Sequence, residues 1–172
     1  MAEGSEEPRG QRRRATLREL REFEERFQLF VDNVRDYAIF MTDAEGRVLT
    51  WNAGVERLLG YAEIEFVRQP LTMIFVPEDL SSGIAALEIA VATKAGRCKD
   101  ERWHLRKDAS RFWASGVLTA LRDRRGNLLG FAKVMRDITE RKLAKDERKQ
   151  LLQREQQARK RRRPGRVSAI KF

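Results

Sequence analysis

Three runs rich in β-branched and aromatic residues follow one another late in the chain: "ERWHLRK", "RFWASGVLTALRD" and "LLGFAKVMRD". Only the tight turns Lys107-Asp108-Ala109-Ser110 and Asp123-Arg124-Arg125-Gly126 separate them, so they read as sequential hairpins. A further hairpin lies upstream, where "YAIFMT" and "RVLTW" flank Asp43-Ala44-Glu45-Gly46. Between the two systems the hydrophobic period changes from that of strands to that of helices. Helix, two strands, several short helices, three strands and a helix make an α+β domain. The prediction is a five-stranded antiparallel sheet with helices against one face.

The helices announce themselves by caps and periods. Residues 1–14 are Gly, Pro, Ser and charge without apolar periodicity, and are expected to be disordered. Thr16 to Glu19 reads as a capping box, after which Leu17, Leu20, Phe23, Phe27, Phe30, Val31 and Val34 recur at three- and four-residue steps. That stripe predicts an amphipathic helix over 15–34 that buries against the domain or another chain. Asn52 is placed to cap "AGVERLLGY", and Gly60 to end it. Short turns of helix are expected at 62–67 and from Pro77. "SGIAALEIAVATKAG" is a longer helix stopped by Gly96, with Ile84, Leu87 and Val91 on one face. The domain proper is expected at 35–139, a polar helix at 140–160 and a basic tail at 161–172.

Charge follows the same division. The 172 residues carry a net charge of +10, of which residues 140–172 hold 13 Lys/Arg against 4 Asp/Glu. Residues 21–139 hold 18 of each sign, an ordinary neutral domain that argues against a basic nucleic-acid-binding face. No apolar run reaches the length of a membrane span, and the charged N-terminus does not read as a signal peptide, so cytoplasmic residence is the expectation. The single cysteine, Cys98, excludes an intrachain disulfide and a zinc site needing two thiolates. No metal site is expected.

The ordered landmarks "FVDNVRDYAIFMTDAEGRVLTWNAGVERLLGY", "VPED" and "WHLRKDASRFWASGVLTALRDRRGNLLGFAKVMRDITERK" resemble a PAS sensor domain together with its C-terminal PAC part. The resemblance covers about residues 27–142 and is nearest to PAS domains that precede histidine kinase catalytic regions in bacteria. One departure is Ala109, where the family usually has Gly. If the turn needs a positive φ at 109, Ala costs about 1 kcal/mol or somewhat more; the alternative is a turn of another type. No phosphoacceptor His in its usual context and no glycine-rich nucleotide box follows.

Enzyme chemistry finds little to work with. His104, the only histidine, lies in a strand opposite Trp103 and Leu105 and reads as a surface or sheet-face residue without special role. Haem-binding relatives carry their axial His on the long central helix, here 82–95, which has none. Cys98 lies after that helix, outside the run in which flavin-binding relatives hold their reactive Cys, and reads as inert or redox-sensing. Arg97 and Lys99 beside it are of the sign that lowers a thiol pKa. No cofactor is predicted; nothing supports haem or flavin.

The aromatics admit two readings, core packing or the lining of an apolar pocket such as PAS relatives have. The lining candidates are Phe40, Trp51, Leu58, Ile74, Phe75, Ile84, Leu87, Val91, Trp103, Trp113 and Val134. Trp51 with Asn52, and Asp137 with Ile138 and Thr139, are the expected joints, either as local caps or as groups that switch partners. The resemblance implies a non-catalytic sensory or interaction module that relays a ligand- or partner-driven shift through Asp137-Ile138-Thr139. Its output is a separate signalling protein such as a histidine kinase or regulator, with homodimerisation through the N-terminal helix. The alternatives are the sensor part of a truncated or atypical histidine kinase, and a nucleic-acid-associated regulator using the basic tail, the less expected of the two partner classes.

Overall fold

The computed structural model describes the backbone of residues 9–162 and the side chains of residues 16–160. Two compact units divide at Asp137 and Ile138.

The first unit runs α1 (Arg9–Asn33), β1 (Ala38–Asp43), α2 (Ala53–Leu59), α3 (Glu63–Phe66), a 3-10 turn (Leu71–Ile74), α4 (Pro77–Ser81), α5 (Ile84–Ala95), β2 (Arg97–Leu105), β3 (Arg111–Arg122) and β4 (Leu128–Asp137). The sheet is antiparallel, ordered β1-β4-β3-β2. Its last three strands form the expected meander, because their turns carry the right groups. The Asp123 carboxylate accepts from the backbone N–H of Arg125 and of Asn127. Asp108 does the same for Ser110 at the other turn. Ala109 there has φ 63°, so the strain foreseen for a residue with a Cβ is present.

The sheet has four strands, not five. "RVLTW" is anchored to β1 by Asp43 N–H to the Arg47 carbonyl (2.9 Å) and Leu49 N–H to the Met41 carbonyl (2.7 Å). Thr50 N–H also reaches the Met41 carbonyl (3.4 Å), but the backbone of Gly46 and Val48 turns to a different segment. Val48 donates to the Gln69 carbonyl and accepts from Arg68 N–H, while Leu71 N–H bonds the Gly46 carbonyl. Shared between two neighbours, the segment makes isolated bridges and no ladder.

Helix α1 differs at its start. It begins at Arg9, so residues 9–14, expected as disordered, are helical, and Thr16 lies inside the helix. Gln11 and Arg12 to Arg14 are good helix formers, which extends the helix past the capping pattern. Residues 1–8 of that expected segment, and 163–172 of the basic tail, lie outside the described residues.

The core lies between the sheet and the helices. Phe40, Phe66, Phe112, Phe131, Leu59, Leu71, Ile74, Leu118 and Met135 are fully or almost fully buried, with Phe40 and Phe66 edge to face at 5.0 Å. Each such side chain contributes roughly 1.5–3 kcal/mol of burial, set against its ordering entropy. The second unit is α6 (Thr139–Arg162), whose described side chains are largely exposed, with a Lys142–Asp146 pair one turn apart. No helix among the described residues is long and apolar enough to cross a membrane.

Candidate functional site

The period of the strands puts two unlike sets of residues on the two faces of the sheet. The inner face carries Phe112, Ala114, Gly116 and Leu118 from β3, and Phe131, Lys133 and Met135 from β4. From β2 it carries Asp100 and His104. Three ionisable side chains thus stand among the core aromatics, and α5 turns a fourth, Glu88, towards them.

These four form one network. Lys133 Nζ donates to Glu88 Oε1 and, at 2.9 Å, to Asp100 Oδ1. Asp100 Oδ2 lies 3.3 Å from His104 Nε2 and 3.4 Å from Arg102 Nε. Arg102 reaches on to Asp79 of α4 at 3.8 Å. His104 Nδ1 faces the Ile74 carbonyl at 3.0 Å. Burial, the largest influence on Asp100, opposes its ionisation. The bond to His104 and the field and bond of Lys133 together outweigh burial and hold the carboxyl well below the usual carboxylate range. Glu88 Oε2 is buried and makes no hydrogen bond among the described residues.

Gly116 makes the space. A Cβ there would stand 2.7 Å from Asp100 Oδ1 and 3.2 Å from Lys133 Cε and Nζ. Any larger residue would push into the network.

His104 therefore needs correction: it lies on the face opposite Trp103 and Leu105, as alternation required, but that face is the core. At Cys98 only the lowering expected from Arg97 and Lys99 is reversed. Burial first, then the neighbouring Glu88 and Asp100 carboxylates, push its thiol up, outweighing nearby cations; this is the reverse of activation.

The pocket candidates are spread over several environments. Phe40, Ile74 and Phe75 are buried in the core. Trp51, Leu58 and Ile84 are half-buried. Leu87 and Val91 are exposed on α5, because Ala85, Glu88 and Ala92 form its buried face. The helix approaches the sheet through alanines and sends a carboxylate to Lys133. Trp103, Trp113 and Val134 lie on the outer face of the sheet, where the two indoles meet edge to face at 5.3 Å.

At the ends of the strands the expected joint residues have dense connections. Asn52 is fully buried. Its Oδ1 accepts from Val55 N–H (3.1 Å), capping α2, and from Ile39 N–H (2.9 Å) of β1. Its Nδ2 donates to the carbonyls of Val31 and Tyr37, both at 3.2 Å. Two donors and two acceptor sites are all used. Asp137 closes β4 and its carboxylate accepts from Arg106. The same guanidinium donates to the Leu58 carbonyl and lies 4.3 Å over the Phe112 ring. Arg35, Asp36, Arg57, Leu58, Arg136 and Asp137 line a surface cleft of about 370 Å³ beside this contact.

The comparisons with known proteins bear on this architecture. Residues 36–140, more than half of the chain, match the family described as PAS domain. This chain belongs to the PAS domain family. "Two-component system protein A" of Emericella nidulans is 42% identical over 120 residues, which are 70% of this chain and 17% of that protein. The PAS domain thus spans only a small part of its curated relative. Among solved structures, the PAS domain of a protein from Colwellia psychrerythraea aligns with TM-score 0.63 at 28% identity, over 69% of this chain and 98% of its own. An RNA-binding Light-Oxygen-Voltage receptor aligns at TM-score 0.62 and 20% identity, over 79% of this chain and 39% of its own. A domain of the sensory box sensor histidine kinase/response regulator from Geobacter sulfurreducens gives 0.56 at 21%, over 69% and 96%. The last two show the fold alone.

Reasoning from the sequence missed Lys133, Glu88, Asp100 and Arg106 in this PAS domain. A signal for Lys133 was present, since it alternates in phase with Phe131 and Met135. Asp100 and His104 likewise stand four residues apart on one strand face.

Proposed function

We propose that this PAS domain is a non-catalytic sensory or interaction module of a cytoplasmic signalling system. It takes a small ligand or a protein partner and passes a shift through Asp137-Ile138-Thr139. The observation that carries the reading is the grip of Arg106 on Asp137. One guanidinium holds the end of β4, the last turn of α2 and the face of a core aromatic. A displacement at α2 or at the inner face of the sheet reaches the end of the last strand through that side chain. A few kcal/mol of differential affinity suffices to move such an equilibrium.

The output is a separate signalling protein such as a histidine kinase or regulator, in keeping with the two-component name of the Emericella nidulans protein. Self-association through α1 belongs to the same reading, because Leu20, Phe23, Phe27 and Phe30 of that helix are all more than half exposed.

Arg106→Ala in the full chain tests the relay by hydrogen exchange. The expected result is faster exchange both at residues 55–59 and at 138–142, with β1 unchanged. Faster exchange confined to the turn around residue 106 removes the relay. Native mass spectrometry, repeated after denaturation, tests the rest: a dimer and a released small molecule are expected if both parts hold.

A further inference from the structure

The hydrogen bonds of His104 pose a counting problem. Its Nδ1 faces the Ile74 carbonyl at 3.0 Å and its Nε2 faces Asp100 Oδ2 at 3.3 Å. A backbone carbonyl only accepts, and an ionised carboxylate only accepts. Asp100 is held ionised by the cations around it. A neutral imidazole has one N–H and can satisfy one of these two acceptors. Two protons on the ring satisfy both.

The surrounding charges point the same way. From its own strand the ring faces Asp100, with Arg102 beyond it. Lys133 comes from β4 and Glu88 from α5, both through Asp100, and Asp79 from α4 through Arg102. From β3 comes the uncharged Phe112, 6.1 Å from the imidazole, with Arg106 over its ring. Phe75 meets the imidazole edge to face at 5.1 Å. Asp79, Glu88 and Asp100 against Lys133 and Arg102 leave one negative charge over. A protonated His104 cancels it.

We propose that His104 is a buried proton-binding site, occupied in the conformation described, that latches residues 71–81 onto β2. The latch is the bond to Ile74, reinforced by the backbone bridge between Phe75 and His104. Loss of the proton gives up one of the two bonds. Either the Ile74 carbonyl is left buried without a donor, or Asp100 loses one of its partners. The first outcome frees the 3-10 turn and α4, the segment between the α3 region and α5. The device stands apart from the relay through Asp137: it needs neither a ligand nor a second protein.

The chain has one histidine, so every imidazole signal in its spectrum belongs to His104. The experiment is a two-bond proton–nitrogen NMR correlation on the ¹⁵N-labelled full chain, recorded from acid to alkaline pH alongside amide hydrogen exchange. At neutral pH both ring nitrogens are expected to show the protonated signature. As that signature is lost with rising pH, exchange at residues 71–81 is expected to quicken several-fold relative to β1 and α2. A neutral tautomer at neutral pH overturns the proposal. So does a ring that titrates with no selective change at 71–81. In Asp100→Asn, with folding checked by circular dichroism, the protonated signature is expected to give way at lower pH than in the wild type. An unchanged titration there equally sinks the idea.

Discussion

The inner face of the sheet and the outer stripe of α1 invert the usual distribution of polarity. Lys133 is 0% exposed, whereas Phe30 is 69% exposed. A charge placed in the core must find its partners within the chain. Lys133 does so, through Glu88 and Asp100, each fixed on a different element. An apolar stripe in water meets no such requirement inside the fold. The first arrangement closes the domain, and the second is the one on which the proposed self-association rests. If so, substitutions in the first region should be read in stability and those in the second in assembly.

Lys133→Ala is the harshest test of that division. It leaves Glu88 and Asp100 buried without their shared cation, and a loss of about 3–5 kcal/mol in urea unfolding is expected. A loss below about 1 kcal/mol would mean that the network is not holding the core.

Acid should act on the same network. The folded Asp100 carboxyl lies below its ordinary range, so the unfolded chain binds the extra proton as pH falls. The stabilisation is complete above the ordinary carboxylate range and drains away as pH drops through and below about 4. The expected loss is on the order of 2–3 kcal/mol, seen as a fall in Tm. Asp100→Asn should flatten that acid limb.

Gly116→Ala crowds the network without removing a charge. The added methyl meets Asp100 Oδ1 at 2.7 Å, and a cost of about 1–2 kcal/mol is expected from chemical denaturation. Ala109→Gly is the control on the other side of zero. It relieves the positive φ at the β2–β3 turn and should stabilise by about 1 kcal/mol.

The smallest stability effect belongs to α1. Phe23→Gln with Phe30→Gln should leave the unfolding free energy within about 0.5 kcal/mol. Sedimentation should nevertheless show lost self-association. Equal assembly of wild type and variant would detach the stripe from any role in pairing.

How much of this was legible in the sequence differs by element. The β2–β4 meander could be read because Asp108, Asp123 and Gly126 carry the chemistry of their turns. Asn52 could be read as a cap, although its bonds to Val31, Tyr37 and Ile39 depend on segments that only the fold brings near. The face of α5 could not be read from hydrophobicity. Leu87 and Val91 outrank Ala85 and Ala92 on any apolar scale, but close approach to the sheet selects the small side chains, and Lys133 selects Glu88. The fifth strand failed for a related reason: residues 46–48 have two neighbours competing for one row of backbone groups. Of the candidate site, Asn52 and Asp137 were visible as residue types able to cap and bond, and the ionic core was visible only as a phase in the alternation.

The four bonds of Asn52 have a mechanical meaning. They bolt the end of α1 to the start of β1 and to α2 at one point. With 25 residues α1 is about 37 Å long, so within the proposed relay it would act as a lever whose fulcrum is that amide. A turn of about 5° at the fulcrum sweeps the far end through about 3 Å, the scale of a side chain's step across a helical interface. Within the proposed relay, a shift of β1 too small to repack the core would be magnified along the exposed aromatic stripe.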